Sequence, residues 1–509
     1  MRRAEHRCPA AIAVISALLA CAPESDRTPQ AASEPERSRA AQRQGEGPDE
    51  GEHKKSWSGL SLAAQTLVES TPSPSATTSG SDEERVWGGG DDWEPAVAAD
   101  PQAPFVYQFT TRYGGSQPQL VFRRSADGGA TWGPDQALAS NAADPMIEVA
   151  DDGTVFAMGL VGGGFKLQMT RSFDHGDTWT PLANILSPGQ PNWGDRPVLV
   201  VSADGQDVYV GFNQSDSYVV SSHDGGASFG APVQTSNDGR YWFHSAGAIA
   251  PNGDVTFAAV DYSQDYSGEA HINVLRSTDA GASWTTTRVD SSAEMSECGW
   301  SDGCYFGFLG PSVGLAIDVN GLMMIAYNAG DVAGEPQPMW VRTSSDGVAW
   351  SARQQLSVPT TGVHAGFPAV AASRTTPGDF RVVWQDDREA SQVGWNTWLR
   401  STPDGGANWY PEERLSDLAS GAPYKSPLGY SFVYGDYLEI AVDGDDQNHV
   451  IWGEGTSYTG PGGSWYTRSV PEPSLELLLA SAVGFLGLLS RLRKRSLDQL
   501  KCGASDLLQ

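Results

Sequence analysis

Between residues 85 and 470 the chain is a succession of short apolar or alternating runs. Residues 95–100 and 105–109 form one pair, 196–201 and 207–212 a second, 367–371 and 380–384 a third. Comparable pairs begin near Pro145, His244 and Pro311. A seventh is 437–442 with 449–452, followed by 464–466. The runs are of strand length and are separated by Gly, Asp and Asn, so they predict β-strands joined by tight turns.

A third run follows each of the first six pairs and ends in a recurring motif. Its first copy holds Ser125, Asp127, Gly129, Thr131 and Trp132; its second, Ser172, Asp174, Gly176, Thr178 and Trp179. The third holds Ser222, Asp224, Gly226, Ser228 and Phe229, and the fourth Ser277, Asp279, Gly281, Ser283 and Trp284. Two looser copies contain Asp346, Gly347 and Trp350, and Thr402, Asp404, Gly406, Asn408 and Trp409. Asp accepts bonds from N–H groups just ahead of it. Gly takes the positive φ of the turn, and the aromatic ring folds back over it. The six aspartates are therefore read as structural residues of hairpin tips.

A repeat of about fifty residues makes each copy one supersecondary unit. Four-stranded units repeated radially make an all-β propeller. Counting inner strands predicts seven blades, which we prefer; counting motifs leaves six as the alternative. With seven, the last blade lacks an outer strand, and the segment around Arg85, Val86 and Trp87 is expected to supply it and clasp the ring shut.

The two ends lie outside this pattern. A basic start and an apolar run predict a signal peptide over residues 1–21. Leu18, Leu19, Ala20 and Cys21 resemble the bacterial lipoprotein box, in which the Cys is lipidated; an ordinary signal peptide is the alternative. Residues 22–84 are rich in Ser, Pro, Glu and Gln and poor in large apolar side chains, the composition of a disordered tether. Pro471, Glu472 and Pro473 precede a short apolar helix and the basic cluster Arg491, Arg493, Lys494 and Arg495. This segment, 471–495, resembles the PEP-CTERM sorting signal of Gram-negative bacteria, which implies an exosortase-like processing enzyme and membrane attachment; a plain anchor helix is the alternative. A tail, 496–509, follows. Either reading places the propeller outside the cytoplasm, at the bacterial envelope or beyond it.

The formal net charge is −29, from 33 Lys+Arg against 62 Asp+Glu. Such an acidic chain argues against nucleic acid, which needs cationic patches. Of the five Cys only Cys298 and Cys304 belong to the propeller region, and an oxidising compartment favours a disulfide between them. No loop shows the ligand spacing of a Ca²⁺ hand or a zinc site. Neither metal nor cofactor is expected.

In a propeller, the loops entering inner strands and those leaving second strands share one face. That face collects charged and aromatic residues. The motif repeats resemble the Asp-box, or BNR, repeats of bacterial sialidases and their relatives, over residues 85–470. The resemblance implies a three-arginine clamp for a substrate carboxylate, a Tyr nucleophile assisted by Glu, and an Asp acid/base, an exception among glycosidases. On this chain it points to Arg112, Arg196 and Arg388 as the clamp. Tyr437 takes the part of nucleophile, Glu454 or Glu94 of its partner and Asp92 of acid/base, with Asp195, His364 and Asp436 as further substrate contacts. The family's Phe/Tyr-Arg-Ile-Pro signature is replaced by Trp93, Glu94 and Pro95. The implied function is an exo-α-sialidase-type glycoside hydrolase acting on extracellular glycan or exopolysaccharide. A non-catalytic surface propeller binding glycan or protein is the alternative.

Overall fold

The computed structural model describes residues 85–87, 91–113, 115–162, 166–191, 196–264, 267–294, 310–358, 362–388, 395–416, 425–426, 429–430, 437–455 and 462–469. The signal peptide with Cys21, the tether, the sorting segment, the tail, the Cys298–Cys304 pair, Asp195 and Asp436 lie outside these residues. The side chain of Glu454 does too, although its backbone belongs to a strand.

Seven four-stranded antiparallel sheets follow one another along the chain. Their inner strands are Asp91–Ala99, Ala142–Val149, Val198–Val201, Tyr241–Ile249, Val313–Ile317, Ala365–Ala372 and Leu438–Val442, for blades 1 to 7. Each inner strand packs on the next, and that of blade 7 returns to that of blade 1, so the ring is closed. The seven-bladed count is correct. Among the described residues there is no helix, and none long and apolar enough to cross a membrane.

Local chemistry explains the hairpin tips. In blade 2, Gly176 N–H donates to Ser172 Oγ at 2.7 Å, and Ser172 Oγ–H donates to Asp174 Oδ1 at 2.7 Å. Thr178 then donates through its N–H to Oδ1 and through its hydroxyl to Oδ2, at 2.8 and 2.6 Å. Asp127, Asp224, Asp279 and Asp404 repeat this set, and Asp346 bonds Val348 and Ala349 N–H in the shortened copy. Hydrogen bonds from Thr178 and Ser228 hold Asp174 and Asp224 down at about 2. Their contribution to stability is present above the ordinary carboxylate range and fades only as pH falls through about 2. Trp284, Trp350 and Trp409 each fold back and donate Nε1–H to the motif's Gly carbonyl, at 3.1, 3.2 and 3.1 Å.

The motif also joins blades. Trp179 of blade 2 packs edge-on against Phe122 of blade 1, and Trp132 of blade 1 against Tyr466 of blade 7. Gly176, at φ 85°, lies so close that a Cβ there would stand 2.5 Å from Phe122 Cζ. Glycine is thus required twice at this position, for the turn and for the neighbouring ring.

Blade 7 takes its outer strand from the other end of the chain. Arg85–Trp87 pairs with Gly462–Arg468 in antiparallel register, Trp87 opposite Ser464. Trp87 is buried, and its Nε1–H donates to Asp135 Oδ1 of blade 1 at 3.0 Å. The Arg123 guanidinium lies between the Trp87 and Trp132 rings, 4.3 and 4.7 Å from their centroids. The seam between first and last blades is therefore a desolvated cation–aromatic sandwich. Trp87→Ala is expected to destabilise the full chain by about 3 kcal/mol, since it empties a buried site and loosens the clasp; guanidinium-chloride unfolding measures it.

Candidate functional site

The seven inner strands enclose a channel of about 1150 Å³ along the ring axis. Its wall is mostly Val, Ala, Leu, Ile and Gly, as crowding at the axis demands. Against that background stand Glu148 on blade 2, Arg196 on blade 3, Arg374 on blade 6, and Tyr437 and Glu439 on blade 7, with Asp151, Asp204, Asp207 and Asp318 in loops after the inner strands.

The entrance is shaped by a repeated backbone device. Glu94, Asp144, Arg196 and Phe367 have φ of 55°, 55°, 48° and 52°, and each precedes a proline. Glu94, Asp144 and Phe367 sit where the inner strand bulges against its neighbour. A non-glycine residue at positive φ is strained, and it persists only where its surroundings fix it. Here the fixing is done between blades. Asp144 N–H donates to Glu94 Oε2 at 3.2 Å, Arg196 N–H to Asp144 Oδ2 at 3.3 Å, and Phe367 N–H to Ser312 Oγ at 3.2 Å. At the closure, Val97 N–H of blade 1 donates to Glu439 Oε2 of blade 7 at 2.9 Å. One blade's acid or hydroxyl satisfies the next blade's strand-entry amide.

These contacts correct several expectations. Glu94, read as a partner for the nucleophile, also accepts the Thr111 hydroxyl at 2.8 Å and serves as the first stitch. Asp92, read as acid/base, is fully buried and grips Arg112 by Nε and Nη2 at 2.6 and 3.1 Å. Burial makes it hold its proton more tightly than an ordinary aspartate, against the opposing pull of Arg112. Arg112 also donates Nη1–H to Asp135 at 2.6 Å, inside the blade 7–blade 1 seam. Arg388 bonds Asp386 and Glu412 and stacks 4.2 Å over the Trp398 ring. His364 is buried, its Nδ1 accepting Gln337 N–H at 3.1 Å and its own N–H donating to Asp387 at 2.9 Å.

The three-arginine clamp is therefore not assembled at the channel. Of Arg112, Arg196 and Arg388 only Arg196 lines it. Its guanidinium lies 4.9 Å over the ring of Tyr437, so two predicted residues do meet. The sequence reading passed over Glu148, Arg374 and Glu439. The signal for the two glutamates was an acid set among apolar neighbours on an inner strand, at 146–149 within Ala142–Val149 and in Leu438–Val442.

Glu148 and Glu439 are only half-buried by contact, because they face the channel, yet protein surrounds them. Burial pushes Glu439 up to about 8, helped by the negative charge of Glu148 and opposed by the Val97 amide and Arg196. Burial likewise pushes Glu148 up to about 7, against Arg374. A buried His244, its Nε2 within 2.7 Å of Ser217 Oγ, is held neutral by burial, down at about 3.

Both glutamates hold their protons more tightly in the folded chain than in the unfolded one. Their contribution is whole below the ordinary glutamate range and is lost as pH rises through about 7 and 8. Melting temperature is expected to fall from pH 5 to pH 8.5, and the Glu148→Gln/Glu439→Gln chain to show a flatter profile; calorimetry across this range checks it. Arg112→Ala, which strands the buried Asp92, is expected to cost about 3 kcal/mol in denaturant unfolding.

No protein-family model and no curated protein matches the chain. Among solved structures it is similar to the Hadza microbial sialidase Hz136, at 13% identity, covering 70% of this chain and 73% of that one, with a TM-score of 0.42. It is similar to a PL25 ulvan lyase, a polysaccharide lyase, at 13% identity over 75% and 95%, TM-score 0.46. A sialidase from Trypanosoma rangeli aligns at 14% identity over 66% and 56%, TM-score 0.39. Likeness at this level says nothing of substrate or activity.

Proposed function

We propose that this chain is an exported propeller, held at the bacterial envelope through its termini after processing by an exosortase-like enzyme. In this reading it binds extracellular glycan at the mouth of its axial channel. The observation that carries the reading is the meeting of Arg196 of blade 3 with Tyr437 and Glu439 of blade 7 in the axial channel. A concave site with an aromatic ring and a few convergent charged groups suits a sugar, which offers a hydroxyl-rich edge and an apolar face. The acidic surface charge suits a soluble extracellular protein and not a nucleic-acid binder.

Binding is favoured over hydrolysis by the positions of the other expected residues. Arg112 and Arg388 are committed to carboxylate partners, and Asp92 is buried beneath one of them. Hydrolysis of the sialidase type stays as the second reading because Tyr437 and a glutamate share the cavity wall. A glycan array and a fluorogenic sialoside separate the two. We expect retention on glycans without release of fluorophore, and binding weakened about tenfold in Arg196→Ala, the worth of a lost charge-assisted hydrogen bond. Steady fluorophore release that disappears in Tyr437→Phe would establish the hydrolase instead.

A further inference from the structure

The chain enters and leaves the ring on one face. In blades 1 to 6 the third strand runs away from the channel mouth and ends in the hairpin motif, so the motifs mark the face opposite the mouth. In blade 7 the third strand is Gly462–Arg468, and it ends beside the motif of blade 1, where Arg468 Nη1–H donates to Gly128 O at 2.6 Å. The clasp strand is antiparallel to it, with Arg85 opposite Tyr466 and Trp87 opposite Ser464. Arg85 therefore lies at the motif end of this strand pair and Trp87 at the mouth end. Arg85 and Ser469, the two ends of the described ring, stand side by side on the motif face of blade 7. Arg196 and Tyr437, at the entries of inner strands, belong to the other face.

The links beyond these two ends differ in length. Residues 22–84, read as a flexible tether, have a root-mean-square reach of about 40 Å, too loose to orient the ring. After Ser469 only Val470, Pro471, Glu472, Pro473 and Ser474 precede the apolar run that begins at Leu475. Fully extended, this link spans about 20 Å, and its two prolines restrict it further. A blade is itself about 20 Å tall along a seven-residue strand such as Gly462–Arg468. With the apolar run held in a bilayer, the motif face reaches the surface easily. Turning the mouth to the bilayer instead would lift Ser469 by the height of a blade and use up the whole link.

We propose that the anchored protein stands with its motif face toward the bilayer and its channel mouth turned away from it, presented to polymer in the surroundings. The proposal rests on reading residues 475–489 as a membrane attachment. The orientation is imposed by the short link and not by attraction. Asp127, Asp174, Asp224, Asp279, Asp346 and Asp404 all lie on the face that turns to the bilayer, and anionic headgroups draw in basic surfaces, not acidic ones. The ligand class follows from the geometry. A mouth held a blade's height from the surface meets glycan arriving from outside and not the sugar headgroups of the membrane that holds it.

Resonance energy transfer in phosphatidylcholine vesicles with a headgroup-bound acceptor dye tests this. The full chain carries a coumarin amino acid as donor at one of two positions in blade 5. Val348 lies in the motif and Val332 in the loop after the second strand, on the mouth face; they are 61% and 60% exposed, so neither label disturbs the core. The donor at 348 is expected to lie nearer the bilayer than the donor at 332 by up to about 20 Å. Inserting about thirty Gly/Ser residues after Val470 gives the link a reach of about 30 Å and is expected to remove most of that difference. Equal distances, a nearer donor at 332, or a difference that survives the insertion would each overturn the proposal. Failure of the chain to bind vesicles, or binding undiminished by deletion of residues 475–495, removes the attachment reading beneath it.

Discussion

A ring of twisted sheets has two loose edges until its last blade is joined to its first. That joint is the constraint on which the rest of this molecule depends. It is made by a three-residue strand from the far end of the sequence, Arg85–Trp87, laid along the outer edge of blade 7. The edge it covers would otherwise present unpaired backbone groups. Around it Trp87, Arg123, Trp132 and Tyr466 exclude water, and on the blade 1 side Arg112 ties Asp92 to Asp135, which also accepts the Trp87 indole N–H. This is why Arg112 has no part at the axis: its charge is used to neutralise carboxylates in the closure.

A second set of contacts carries the same logic inward. Seven sheets meeting at an axis must pass their strand entries close together, and the chain bends sharply there. Residues before proline at positive φ make the bend, and hydrogen bonds from the preceding blade hold it. Acids placed where a catalytic site is expected therefore do architectural work when the next blade offers an amide. Glu439 belongs to this set through Val97, yet it also faces the channel. Its double position links the geometry of the ring to the electrostatics of the cavity: the amide draws it toward ionisation while the surrounding wall opposes charge more strongly.

The outer, repetitive part of this structure was legible residue by residue. Asp174 binds Thr178 and Ser172 within its own turn, so its role needed only local sequence. The same holds for the strand runs and for Trp87, whose place followed from counting strands. The inner part was legible only as a list of charged residues on one face. Arg388 illustrates the limit. Its pairing with Asp386 is local, but its commitment to Glu412 and to the Trp398 ring depends on how blade 6 folds back on itself. Arg196 and Tyr437, far apart in sequence, meet because blades 3 and 7 face each other across the same axis.

Sequence alone determined the blade repeat, the aspartate-bonded hairpins, the seven-strand inner ring and the strand that closes it, because each rests on turn chemistry and periodicity over a few neighbouring residues. The tertiary structure decided which arginines are saturated, which acids stitch blades together and which two glutamates face the channel. Those outcomes depend on distances between blades and on the exclusion of water from the axis, and neither is encoded in any single repeat.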